Sequence, residues 1–178
     1  MAQAASKTSH TFRYALYISG VSIAIMLISF VFDLTGNNVL GVFNWIAILA
    51  LLHMSAFRYR EDFLGGYISF GKSFSVIFQT AIFYGLIMMF YSMIHYQLID
   101  PGALDEMMQI AQKKLIEAGG ITQAQLDAIV KFQKNVTYTY WGVGIGEFLS
   151  GLFWGLIAGL LLSLINQKDD PNRSPFKP

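Results

Sequence analysis

The chain has 178 residues, 54% of them hydrophobic and 13% charged, with a mean hydropathy of +0.49. That balance excludes an ordinary soluble domain of this size, and a formal net charge of +1 excludes the concentrated basic surface that nucleic acid requires. Without cysteine, the chain has no disulfides, thiolate metal sites or thiol catalysis, and its redox compartment stays open.

Taken in order, the first twelve residues are polar and read as a tail. Uncharged runs then cover 14–32, 34–57 and 73–99, and from 135 to 167 the only charge is Glu147. Each run is long enough for a hydrocarbon core that needs about 20 helical residues. They predict four spanning helices over about 14–32, 39–57, 73–98 and 139–165. No strand alternation bounded by regular turns is present, which disfavours a β-barrel. Lys7 and Arg13 precede the first run as in a signal peptide, but that run is 19 residues long and no small-x-small cleavage site follows. It reads as a retained helix ending near Asp33, with TGNN at 35–38 as a short turn into the second.

Residues 58–74, RYREDFLGGYISFGKSF, mix charge, glycine and aromatics as an interfacial connection between the second and third helices should. Between the third and fourth, residues 100–137 predict an amphipathic helical hairpin. Asp100 and Pro101 suit the cap and first position of its first helix, Leu104, Met107, Met108, Ala111 and Leu115 recur at helical spacing, and Gly119 and Gly120 end it. Thr122 with Gln125 then forms a capping box, Ile121 with Leu126 a hydrophobic staple, and Ile129, Val130 and Val136 continue one face.

Flanking charge sets orientation. Lys7, Arg13, Arg58, Arg60, Lys72, Lys168, Arg173 and Lys177 fall on one side, against Lys113, Lys114, Lys131 and Lys134 in a loop that also holds Asp100, Asp105, Glu106, Glu117 and Asp127. Both termini are expected to be cytoplasmic. The expected fold is thus all-α, an integral membrane four-helix bundle over 13–167 with an extracytoplasmic amphipathic helical hairpin between helices 3 and 4. Residues 1–12 and 168–178 are its cytoplasmic tails.

Two stretches carry a family resemblance: Tyr59, Gly66, Ile68, Ser69, Phe70, Gly71, Lys72 and Phe74 in the second connection, and Glu147 in GEFLSGLFWGLIAGLLLSLI. With the four-span layout and the charged helical insert before the last span, the chain resembles a bacterial family of small inner-membrane proteins catalogued as domain of unknown function 4199. The resemblance covers most of the chain and implies architecture and a bacterial inner-membrane location, with no activity attached. Where that family often carries proline shortly after the glutamate, this chain has Ser150 and Gly151, so no proline kink is expected.

Helical rise gives depth. Glu147 is 21 residues from Lys168, His95 is 23 from Lys72 and Asp33 is 20 from Arg13, or about 31, 35 and 30 Å at 1.5 Å each. All three approach the far boundary of the hydrocarbon, where a carboxylate can snorkel to headgroups. Converging with Tyr91, they would make a proton-responsive or metal-binding cluster. On the structural reading Glu147 accepts hydrogen bonds within the bundle or from the hairpin, and Asp33 ends the first helix. No ligand motif such as HExxH is present, so neither a metal nor a cofactor is expected.

Glu147, Gly151, Gly155 and Gly159 recur every fourth residue beside a line of Gly142, Gly146 and Ser150. Such a stripe of small residues packs either against the chain's own helices or against another chain. Residues 66–73 match the phosphate-loop pattern GxxxxGK[ST], but a phosphate loop joins a buried strand to a helix and here a membrane helix comes first. The same segment, with the Gly71 amide, Arg58, Arg60 and Lys72, suits a lipid phosphate. His53 and Gln79 are expected to pair between helices 2 and 3, Trp45 to join Tyr138, Tyr140 and Trp141 in the outer aromatic belt, and Trp154 to pack at mid-depth.

These features predict a non-enzymatic multi-pass membrane protein, an oligomer or accessory subunit that packs through its fourth span and presents the hairpin to a partner. Its partners are membrane lipids and a second copy or another membrane protein. The alternatives are a small proton-coupled transporter or channel using Glu147 and His95, and a membrane enzyme acting on lipid-linked substrates.

Overall fold

In the computed structural model, residues 2–34, 37–120 and 122–171 are described, with side chains from Lys7 onward. The described residues form six α-helices: α1 (Ala2–Val31), α2 (Asn38–Leu64), α3 (Phe70–Ile94), α4 (Ala103–Ala118), α5 (Gln123–Phe132) and α6 (Tyr140–Asn166). π-helical turns at His95–Ile99 and Gln133–Thr137 prolong α3 and α5. Four segments are long and apolar enough to cross a membrane: Lys7–Val31, Asn38–Leu64, Phe70–Ile99 and Tyr140–Asn166. The shortest has 25 residues, about 38 Å of helix against a hydrocarbon core of about 30 Å.

The polar residues before position 13, expected as a tail, form the first turns of α1 instead. Their polarity is satisfied by neighbouring helices. Lys7 Nζ donates to Ser75 Oγ at 2.5 Å, and the buried His10 donates from Nε2 to the Ser55 carbonyl at 2.8 Å. Tyr14, Tyr59 and Phe63 surround the His10 ring. Composition alone cannot separate a solvated tail from a helix end whose polar groups are matched by a partner helix.

Asp33 ends α1. It takes a left-handed conformation (φ 52°), its N–H donates to Phe30 O at 3.3 Å, and the next N–H, of Leu34, donates back to Ser29 O at 2.8 Å. This pair of bonds closes the orphan carbonyls of the last turn, with an aspartate where glycine is usual. The turn expected at TGNN includes Thr35 and Gly36, which lie outside the described residues, as does the staple residue Ile121. Asn37 caps α2 by accepting from the N–H groups of Val39 and Leu40, and Gly65 (φ 65°) stops that helix. The capping box of Thr122 and Gln125 forms as the spacing predicts.

The chain divides into two compact units, residues 1–87 with 150–178 and residues 88–149. In the first unit, Ile18 of α1, Leu52 and Ala56 of α2, Val76, Ile77 and Ala81 of α3 and Ala158 of α6 make one core. Serine and threonine add cross-helix hydrogen bonds, Ser22 to Asn44 at 2.9 Å and Thr80 to Ser55 at 3.5 Å. The outward faces stay apolar: Phe43 is 61% exposed and Ile165 68%. A surface of this kind suits lipid as its solvent. The second unit holds α4, α5 and the adjoining turns of α3 and α6.

Candidate functional site

All the glycines of α6 except Gly146 are close-contact positions. In the first unit, a Cβ built on Gly151 would lie 3.4 Å from the Gly85 Cα, one on Gly159 would lie 3.1 Å from the Phe74 ring, and one on Gly155 would collide with the Ala81 Cβ. Gly151, Gly155 and Gly159 therefore admit α3 of the same chain. Of the two alternatives for this stripe, packing against the chain's own helices accounts for all three glycines.

In the second unit, Gly144 plays the same part: its Cβ would meet Met93 Cγ at 2.7 Å and the Met89 carbonyl at 3.0 Å. Sequence reading passed it over because it sought a four-residue repeat. Each such step turns a helix about 40° past a full revolution, so three steps displace the stripe by about 120°. Gly144 lies seven residues before Gly151, a spacing that returns to nearly the same face. Of the parallel line, Gly146 meets nothing, whereas Gly142 stands where a Cβ would overlap the Val136 carbonyl.

The same drift explains Glu147. Three steps before Gly159, it has rotated out of the packing seam and lies exposed on α6, with Val143 and the exposed Ser150 as neighbours about one turn away. Among the described residues no hydrogen bond or ion pair reaches its carboxylate, whose charge acts on the Tyr96 hydroxyl in the same unit. Of the four expected cluster members, the structure joins two. His95 is buried, and its Nδ1 is hydrogen-bonded to the Tyr91 hydroxyl at 3.2 Å, with the Tyr96 ring edge-on at 5.2 Å. This pair sits where α3 widens into a π-helical turn. Asp33 is in the first unit, exposed, with the helix-ending backbone described above. Among the described residues, no three His, Asp or Glu side chains gather as metal ligands.

The end of the first unit that carries the 58–74 segment is tied by polar contacts. Arg60 lies over the Phe57 ring at 4.8 Å, pairs through Nε with Glu61 at 2.8 Å, and donates from Nη1 to the Asn166 carbonyl at 2.9 Å. Asn166 is buried and donates from Nδ2 to Leu162 O at 2.9 Å and to His53 Nδ1 at 3.0 Å. Backbone bonds of 3.0 and 2.9 Å pair Ile68 with Lys168. Arg60 is thus a clamp on the end of α6, while Arg58 and Lys72 remain exposed and Gly71 faces open space.

The expected pairing of His53 with Gln79 does not form: His53 meets Asn166, and Gln79 donates to Thr8 Oγ1 at 3.5 Å. Depth counted along single helices missed partners on α6 and on the helical start of α1. Trp45 and Trp154, assigned to different depths, meet edge to face at 5.4 Å. They line an apolar groove of about 390 Å³ with Leu49, Ile157, Ala158 and Leu161.

Comparison with known proteins adds the family alone. No curated protein and no solved structure matches the chain. The family model described as Protein of unknown function (DUF4199) matches residues 13–168. With that match spanning nearly the whole four-span arrangement, the chain belongs to the DUF4199 family.

Proposed function

We propose that the chain is a non-enzymatic subunit of a bacterial inner-membrane assembly, and that it docks a membrane partner through the α6 face bearing Glu147. One observation carries the reading: a carboxylate exposed on an otherwise uncharged, apolar span, with no hydrogen-bonding partner in its own chain among the described residues. In lipid such a group favours a partner that supplies donors or a cation. Both termini are cytoplasmic on this reading, which the distribution of lysine and arginine supports, and α4 and α5 are then presented on the extracytoplasmic side. The glycine seam holds the subunit itself together and the acid selects what it meets.

The test places a photo-crosslinking residue at the exposed Ser150, three residues on and on the same side of α6 as the acid, and separately at Leu149 on the opposite side. Irradiation of membranes is expected to give an adduct of discrete mass from position 150 and none from position 149. Glu147→Gln should reduce that adduct at least tenfold, with the melting temperature of the purified chain unchanged. An adduct indifferent to Glu147→Gln would overturn the reading, as would pH-dependent flux in liposomes that the same substitution abolishes.

A further inference from the structure

In the first unit α3 and α6 run antiparallel, and their contacts fix which residues share a level. Gly151 meets Gly85, Gly155 meets Ala81, and Gly159 meets Ile77 beside Phe74, each pair four residues on along α6 and four back along α3. The same register returns past the helix ends, where backbone bonds of 3.0 and 2.9 Å join Ile68 to Lys168. Between those last two pairs it sets Ser163 level with Ser73, about one turn inside the end of α6 and the start of α3. Both serines have 0% exposure, so both side chains are turned into the bundle. Neither hydroxyl has a hydrogen-bond partner among the described residues. The same holds for Oδ1 of the buried Asn166, three residues after Ser163 and on the same side of α6. Native interiors satisfy nearly all such groups, so three unpaired atoms in one buried layer call for a ligand.

We infer that this layer binds one water molecule, which accepts from the Ser73 and Ser163 hydroxyls and donates to Asn166 Oδ1. The donor and acceptor inventory decides the ligand. Asn166 Nδ2 is already committed to Leu162 O and His53 Nδ1, and those two bonds fix which amide atom is left over, an oxygen that can only accept. No two of the three unpaired atoms bond to one another, so a third group has to lie between them. A water carries two donors and two acceptor sites and serves all three at once, matching the three or so bonds usual for buried water. A cation does not suit the set, because hard cations gather several oxygens, usually with carboxylates among them, and these three groups carry no negative charge. The water ties α3 to the end of α6 at the residue that Arg60 and His53 hold for α2. The inference lies wholly within the first unit and is independent of the role of Glu147.

The test is a crystal structure of the full chain grown from a lipid mesophase, at a resolution that shows ordered water, together with melting temperatures in nanodiscs. One density peak is expected within about 2.7–3.2 Å of Ser73 Oγ, Ser163 Oγ and Asn166 Oδ1. Ser73→Ala and Ser163→Ala should each lower the melting temperature by about 2–4 °C, the shift of one hydrogen bond lost from a chain of this size. The double variant should fall by clearly less than the two losses together, because either substitution alone already removes a ligand of the shared water. A dry layer in which the three groups bond directly to one another overturns the inference, as does a peak whose anomalous signal or coordination marks an ion. Single variants that melt with the wild type, or losses that simply add, also overturn it. The wild-type map decides without any variant having to fold.

Discussion

Gly155→Leu is expected to abolish the folded chain in mild detergent rather than to dissociate an assembly of folded chains. The first side-chain atom alone would collide with the Ala81 Cβ, and leucine adds three more heavy atoms beyond it. α6 cannot move away locally, because Gly151 meets Gly85 one turn earlier and Gly159 meets Phe74 one turn later. Separating the helices to make room would open both contacts, and lipid offers little hydrophobic drive to close them again. Overpacking of a well-fitted core costs about 1–3 kcal/mol and occasionally more; with three contacts failing together, the loss should reach or exceed the top of that range. Gly155→Ala is the milder probe, expected to cost about 1–3 kcal/mol, and Ala81→Gly in the same chain should recover most of it. A coupling of about 1 kcal/mol or more between the two sites would mark direct contact. Unfolding followed by tryptophan fluorescence measures all five proteins, wild type and the Ala81→Gly single variant included, and an unchanged melting temperature for Gly155→Leu would mean that the stripe faces outward.

Arg60→Met should lower stability by about 2–3 kcal/mol, since it removes a charge-assisted hydrogen bond and leaves a carbonyl short of its donor. The residue joins three things: the Asn166 carbonyl at 2.9 Å, Glu61 at 2.8 Å and the Phe57 ring at 4.8 Å. Methionine keeps apolar packing over Phe57 and loses the donors. Arg60→Lys should not restore the wild type, because one ammonium cannot reproduce the planar fork that serves the carbonyl and the carboxylate together. The exposed Arg58 gives the contrast, with Arg58→Met expected within about 0.5 kcal/mol of wild type. Limited proteolysis adds a local readout: Arg60→Met should expose the chain after Asn166 to cleavage before the helices unfold. Equal behaviour of the two arginine variants would remove the clamp.

The four spans were legible in the sequence because lipid imposes one coarse requirement, long uncharged helical runs, which local composition satisfies or fails by itself. Caps were legible for a similar reason: Thr122 and Gln125 form their reciprocal bonds within four residues, so no distant contact decides them. Misreadings began where a residue's role depended on another helix. Polar residues 7–11 looked like a tail until Ser55 and Ser75 supplied their partners. Arg60 looked like an interfacial cation, and only the return of α6 made it a clamp. Gly144 was missed through an arithmetic cause, since a four-residue repeat leaves the helix face that a seven-residue spacing keeps.

Glu147 shows what sequence can and cannot locate. Its depth follows from counting helical rise, and its isolation from charge is plain in the residues. The direction it points depends on where α6 is held, and that is set by Gly151, Gly155 and Gly159 against α3. The seam therefore determines which face of α6 stays uncovered, and on the proposed reading the lone acid marks the docking face.

Cysteine scanning tests the central claim, that four helices of this chain stand in lipid, most directly, because the chain has no cysteine of its own to give background. Asp62→Cys, Lys114→Cys and Phe153→Cys, made singly, are treated in intact spheroplasts with a maleimide that cannot cross membranes. Position 114 is expected to label at once, position 62 only after the membrane is permeabilised, and position 153 only after denaturation. Labelling of 62 and 114 from the same side, or of 153 in the intact membrane, would contradict the account.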